Sequence, residues 1–494
     1  MSQGPRSAGK QASKRAQGKK NSRGTTNKES LGTLLNWLLS DGSIFAKLKL
    51  HGNTSWIPQQ MVVLALCWAW SESRNLTDGF REAVTCCQTI LGTSPVVSYH
   101  GFMKATVRWT TPFMAVLWPL LQELMEQVGG KYWRIGKWVL IAFDGSRSTA
   151  PRTKANEKAF CAPNYGKGKR AKYGKKKSKG MRRKRNQQNK PQPQQPQAWI
   201  TLLWHMGLRL PWMWRLGPSN SSERGHVLEM LNTSKFPKNT LFCGDAGFIG
   251  YPLWSAILNS GNHFLVRVGA NASLLMEQGI NNWQKGGLVM CWPQAMIQAG
   301  QAPLRLRLVK IRIGKTKVWV LTSVLNEADL SPQQMIQFYK MRWGIEIEFR
   351  GLKQTLDRAV LRSRNDQRLL VELDWSIMAM AIAELFAIKE QLSNTQAGPN
   401  KDQTPRDPAK RSLANTMRAI RHSLRNLNEI PSPGQDLPTL LRLAVTDSYR
   451  RNVPKRARYR PPNPDKKPLG DPKLRKISSK EKEKLNRIKN TTSA

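Results

Sequence analysis

The sequence predicts an α/β fold, a sheet core with packed helices, preceded by a helical N-terminal region and flanked by basic tails. Three observations carry this. Short continuous apolar runs, Trp138-Val-Leu-Ile-Ala-Phe143 and Asn239-Thr-Leu-Phe-Cys-Gly244, have the length of buried strands. Met103 to Val128 and Leu369 to Glu390 are long enough and apolar enough for packed helices. Leu304-Arg-Leu-Arg-Leu308 and Val309-Lys-Ile-Arg-Ile313 alternate, Gly314-Lys315 turns, and Val318 to Val324 returns, as in a hairpin. The length of 494 residues corresponds to about three domains.

Composition narrows the function. Eighty Lys and Arg against thirty-two Asp and Glu leave a net charge of +48, which implies a polyanionic partner, with nucleic acid first. A membrane is a poor second, because neither Met61 to Trp70 nor Ile377 to Ile388 is long enough to span one. The six cysteines form no Cys-x-x-Cys pair and have no His at zinc spacing, so they read as reduced, packed thiols. The start lacks the apolar segment of a secretory signal, which gives an expectation of a cytoplasmic protein acting where DNA is.

Residues 1–28 are basic and without apolar periodicity, a tail expected to be disordered. Residues 29–130 read as helical: Leu31 to Leu48, Met61 to Trp70 behind Pro58 as a first-turn residue, and Met103 to Val128. This region is either a DNA-binding or a packing domain. Residues 131–392 form the core. Its first strand ends in Asp144-Gly-Ser-Arg147, either a cleft-facing carboxylate or a turn aspartate. A basic insertion at 163–197 follows, with thirteen Lys or Arg between Lys167 and Lys190. Trp199 to Met206 and Leu208 to Leu216 read as adjacent strands, and Ser219 to Ser222 cap a helix, Glu223 to Leu231. His226 reads as a polar residue of that helix rather than a ligand. The run ending at Gly244 delivers Asp245-Ala-Gly-Phe248, before a helix, Tyr251 to Leu258, and a strand, His263 to Val268.

Between about 270 and 328 lies a β-rich insertion in which the alternation changes phase at Leu308-Val309. A bulge there would put Arg305, Arg307, Lys310 and Arg312 on one face, either for DNA backbone or for solvent. Residues 393–494 read as a basic C-terminal region with one helix. The stripe of that helix, Leu413, Met417, Ile420, Leu424 and Leu427, suits dimer contacts, DNA contacts or folding back.

Tyr339, Arg342, Glu346 and Lys353 stand at helical offsets of zero, three, seven and fourteen. At about 100° per residue they share one face within roughly 60°, and Glu348 points away from it. This Tyr-Arg-Glu-Lys spacing resembles the signature of DDE-class insertion-sequence transposases of the bacterial cut-and-paste type. The order of strand with Asp144, two strands, helix, strand with Asp245, helix, strand and later a helix with Glu346 resembles their ribonuclease-H-like core. The resemblance spans about Lys137 to Glu390.

It implies that Asp144, Asp245 and Glu346 are catalytic and metal-binding, with Asp144 bridging two Mg²⁺ ions, or Mn²⁺, held about 3.5–4 Å apart. It further implies cleavage of DNA at element ends, strand transfer into a target, a hairpin intermediate, a paired-end homodimer, and Tyr339, Arg342 and Lys353 as DNA-contacting residues. The nucleoid of a prokaryote would be the setting. A catalytically idle DNA-binding protein of the same descent and a ribonuclease-H-like nuclease are the alternatives.

Overall fold

The structure, a computed structural model, describes residues 24–50, 54, 56–161, 195–276, 286–393, 406–446 and 470–492. Most of the 1–28 tail, nearly all of the 163–197 insertion and the stretch 447–469 lie outside these. The N-terminal tail ends earlier than expected. Thr26 caps helix α1 (Asn27–Leu38) in a reciprocal box with Glu29, which satisfies two backbone donors at the helix start. The expected Leu31 to Leu48 helix stops at Leu38, and a separate 3-10 turn, Gly42–Lys47, follows.

Three further N-terminal helices are α2 (Pro58–Trp70), α3 (Leu76–Leu91) and α4 (Tyr99–Gly129). Every residue of α2 from Met61 to Trp70 is buried, which requires neighbours on all sides. Strands β1 (Val139–Thr149), β2 (Gln197–His205), β3 (Leu210–Gly217), β4 (Thr240–Gly244) and β5 (His263–Val268) form the middle of the chain. Helix α5 (Lys154–Phe160) follows β1, α6 (Glu223–Thr233) joins β3 to β4, and α7 (Tyr251–Asn259) joins β4 to β5. β1, β4 and β5 run parallel, while β2 and β3 are antiparallel to their neighbours. The resulting order β3-β2-β1-β4-β5 is compatible with a ribonuclease-H-like core.

The β-rich region does not stand apart from this sheet. It comprises β6 (Ser273–Met276), β7 (Gly286–Cys291), the short helix α8 (Gln294–Gln298), β8 (Leu304–Ile313) and β9 (Thr316–Thr322), and β9 pairs antiparallel with β5. The bulge expected at Leu308-Val309 is absent, since β8 keeps an unbroken register with both β7 and β9. An unbroken strand alternates its faces, so Arg305 and Arg307 lie opposite Lys310 and Arg312. The only register shift among the five core strands lies between Leu203 and Trp204 of β2.

The helix expected to run unbroken through Tyr339 and Lys353 is two helices, α9 (Pro332–Arg342) and α10 (Gly344–Gln354), joined at Trp343. Gly344 allows the close approach: a Cβ there would lie 2.1 Å from the Trp204 ring. Helix α11 (Asp366–Leu392) then runs through the centre of the molecule. The Trp70 indole donates to the Ala379 carbonyl at 2.9 Å, and the Trp375 indole to Thr110 Oγ1 at 2.9 Å, so the N-terminal helices are bonded to α11. One hydrophobic core contains Leu31, Phe113, Ile141 and Ile377 together.

The C-terminal region holds more than the one helix expected: α12 (Leu413–Arg425), α13 (Leu437–Arg442), strand β10 (Lys473–Lys476) and α14 (Ser479–Thr492). Met417 and Ile420 of the α12 stripe are buried within this chain, which is the folding-back alternative. β10 pairs parallel with β6 and completes a ten-stranded sheet. Arg411 ties this region down. It pairs with Glu384 of α11 at 3.0 Å and donates to the Leu208 carbonyl at 2.9 Å and to the Arg209 carbonyl. Both side chains of the pair are buried, so Arg411→Ala leaves a carboxylate without its cation. The variant should lose about 3–5 kcal/mol. Urea unfolding would read this, and an unchanged midpoint would mean that Glu384 finds another partner.

Candidate active site

The site is built from the parallel pairing of β1 and β4. Ala142 is level with Cys243 across that pair; two residues further along β1 stands Asp144, and Asp245 is the first residue after β4. β4 ends at Gly244, whereas β1 continues to Thr149 paired only with β2. The two aspartates therefore face the notch that opens where the strands part, the place where open α/β sheets bind ligands. Asp144 Oδ1 accepts from the Gly145 amide at 2.9 Å, and Asp245 Oδ1 from the Gly247 amide at 2.7 Å.

Helices α9 and α10 bring the other polar groups to the same end of β1. The Arg342 guanidinium lies between two acids, 3.8 Å from Asp144 Oδ2 and 3.5 Å from Glu346 Oε1. Its side chain is only 4% exposed, and its Nε has no hydrogen-bond partner. Lys353 Nζ donates to Ser146 Oγ at 2.7 Å, two residues beyond Asp144, and burial lowers its pKa. Asp144, Asp245, Glu346, Arg342 and Lys353 thus converge on one edge of the sheet. Tyr339 is the exception. It is buried beneath Arg342, whose guanidinium sits 5.5 Å from the ring, so it supports that side chain and presents no surface to DNA.

Burial pushes the Asp144 carboxyl up to about 6, with Asp245 and Glu346 adding repulsion and the Gly145 amide and Arg342 opposing it. A carboxylate not foreseen from sequence joins the group. Burial, with the charges of Asp144 and Asp245, raises Glu223 at the start of α6 to about 7. An acid in the first turn of a helix is so common on surfaces that its position alone gave no signal. His226, in the next turn, bonds Thr201 Oγ1 through Nδ1 at 2.9 Å, in keeping with a structural role.

Glu348 points away from this group, as the helical spacing requires, and it is buried rather than exposed. Burial and the neighbouring Glu384 hold its carboxyl well above the usual range, so it belongs to the core rather than to the site. The basic strand needs correcting as well. Arg307 is buried and donates to the Leu330 carbonyl, Lys310 lies 3.9 Å from Asp471, and Arg312 Nε donates to the Gly314 carbonyl at 3.3 Å. Arg305 remains exposed on the Arg307 side. These four form no common cationic face.

The donors at the site are oxygens without His or Cys, which fits a hard divalent cation such as Mg²⁺ or Mn²⁺. Among the described residues no three His, Cys, Asp or Glu side chains are gathered tightly enough to hold a metal ion as they stand. The cationic centre between Asp144 and Glu346 is the Arg342 guanidinium.

Residues 138–382 match the family model described as a transposase DDE domain, a span that contains all three expected acids. Over that span the chain is similar to DDE-type transposases. Among solved structures, the cryo-EM structure of a piggyBac transposase synaptic complex with hairpin DNA overlaps 85% of this chain and 84% of its own, at 13% identity and a TM-score of 0.34. No curated protein matches the chain.

The raised Asp144 pKa has a consequence for stability without metal. The folded state keeps a proton on Asp144 between about pH 4 and pH 6 that the unfolded chain has released, so stability falls as pH rises through that window. In chelator, Asp144→Asn should be about 3 kcal/mol more stable than wild type above pH 7. The two should converge below about pH 4. Thermal melts across pH would show this, and an Asn variant less stable at pH 8 would mean that attraction to Arg342 dominates.

Proposed function

We propose that this DDE-type transposase cleaves DNA at the ends of an insertion sequence and joins the freed 3′-hydroxyl to target DNA, with Asp144, Asp245 and Glu346 as its metal-binding and catalytic acids. The observation that carries the reading is that Asp144 and Asp245 both stand just past the last registered pair of β1 and β4, close enough for their charges to interact, with Glu346 linked to Asp144 through Arg342. All three acids lie within the matched domain.

The three carboxylates would hold Mg²⁺, for which Mn²⁺ would substitute. Bound there, divalent ions activate an attacking oxygen and stabilise a leaving one on phosphorus. The acids would keep that centre at one end of β1. Arg342 would offer its guanidinium to a DNA phosphate, which accepts a planar bidentate donor well. Lys353 on Ser146 supplies a second positive charge at the same edge.

The rest of the reading follows from the Tyr-Arg-Glu-Lys spacing: a bacterial cut-and-paste element, a hairpin on the flanking strand, and a homodimer that pairs two ends. The net charge of +48 suits such a DNA partner and a place at the nucleoid. Among the described residues no helix is long and apolar enough to cross a membrane.

The direct test is nicking of a duplex that carries the element's own ends, in Mg²⁺ or Mn²⁺. Wild type should cut, and Asp144→Ala and Glu346→Gln should not while still binding DNA. Glu348→Gln should cut, because this side chain points away from the acids of the site into the core. Tight binding by wild type without cutting in either metal would favour a catalytically idle DNA-binding protein. Affinity for the ends should also fall by about 10³–10⁵ between 50 and 200 mM salt if six to ten phosphates are contacted. A flat salt response in a filter-binding assay would contradict the charge argument.

A further inference from the structure

Ser222 caps α6, so Glu223 is its first residue, and the loop from β3 delivers this residue to the parting of β1 and β4. The side chain lies along the backbone of Gly145. A Cβ on Gly145 would stand 2.3 Å from Glu223 Oε1 and 2.8 Å from its Cδ, so any larger residue beside Asp144 would expel the carboxylate. The other oxygen reaches the second aspartate loop. Glu223 Oε2 is 3.8 Å, and Asp245 Oδ1 3.0 Å, from the point where a Cβ of Gly247 would be.

One carboxylate group therefore touches the turns after both aspartates. Among the described residues no hydrogen bond or ion pair holds it there, and Arg147 and Arg224 act on it only at longer range. Asp144 and Asp245 repel a carboxylate held between their turns, which makes this an unfavourable place for an acid unless further positive charge arrives. The Arg342 guanidinium, held on Asp144 and Glu346, leaves that deficit unfilled. It is buried, its Nε is unpartnered, and its contacts to Asp144 and Glu346 are longer than hydrogen bonds.

We propose that Glu223 is a fourth carboxylate of the divalent-metal site, acting with Asp144 and Asp245. The inference rests on the reading of Asp144, Asp245 and Glu346 as metal-binding acids. Four carboxylates balance the charge of two divalent ions, whereas three leave a positive charge over. Glu223 is thus what allows the second ion to stay before DNA supplies a phosphate oxygen.

Mn²⁺ binding to the full chain without DNA tests this, with free Mn²⁺ followed by electron paramagnetic resonance. Wild type should bind two ions. Glu223→Gln should weaken the second by tenfold or more, with a metal-free melting temperature no lower than wild type. Gly145→Ala should reproduce the weakening although every acid is retained, because its methyl group displaces the Glu223 carboxylate. Wild-type binding by Glu223→Gln alongside lost binding by Asp144→Asn overturns the inference and leaves the three-acid reading standing. Undiminished binding by Asp144→Asn overturns that reading itself. A loss in Glu223→Gln that Gly145→Ala does not share also overturns the inference, since the effect would then arise away from the Gly145 contact.

Discussion

The parallel register of β1 and β4 is the constraint on which the rest of the site depends. Parallel neighbours lie about 4.8 Å apart, so a register that sets Ala142 level with Cys243 delivers Asp144 and Asp245 to the same end of the two strands. A slip of one residue would turn one aspartate into the core. The register is enforced because both strands are buried to their ends: Val139 to Phe143 and Thr240 to Gly244 face packed helices or sheet neighbours on both sides. Repulsion between two carboxylates at strand spacing is small beside the burial that holds these strands. The charges are therefore held together by a sheet that neither depends on them nor can move to separate them.

Helix α11 shows how differently the same molecule treats carboxylates that serve the fold. Glu372 is fully buried, yet it accepts the Arg362 and Ser363 amides at 2.9–3.1 Å and faces Arg358 at 3.7 Å. Asp374 accepts the Trp214 indole at 2.8 Å, and burial pushes it up to about 7. Glu384 has Arg411. Each of these acids fastens a separate segment to α11: the loop after α10, strand β3, and the C-terminal region. Asp144 and Glu346 share one Arg342 at longer range, and Glu223 has no bonded partner among the described residues. Matched buried acids mark the scaffold, and the under-matched ones mark the site.

The strands, their order and the two strand-end aspartates were legible because buried parallel strands are short, apolar and bounded. The offsets of Arg342, Glu346 and Lys353 were legible because helical geometry is regular, and they survive the break at Trp343 since the chain stays in helical conformation through it. At the break Gly344 lies against Trp204, a residue of β2 remote in sequence, whose ring leaves no room for a Cβ. Arg307 misled because alternation does not tell which face a sheet will cover, and here both faces are packed. Glu223 was invisible for a similar reason, since its neighbours come from β1 and the loop after β4. β10 reads as tail because Lys473-Leu-Arg-Lys476 has one apolar residue, and it needs only an edge to pair with.

That edge pairing sets a clock on synthesis. β6 gains its outer neighbour from a segment roughly 200 residues further along the chain. At translation rates of about 5–20 residues per second, β6 waits on the order of 10–40 s for β10 to emerge. During that interval its unpaired backbone groups are open to other strands, including those of neighbouring nascent chains on the same message. The chain that closes its sheet last is also the one most dependent on finishing.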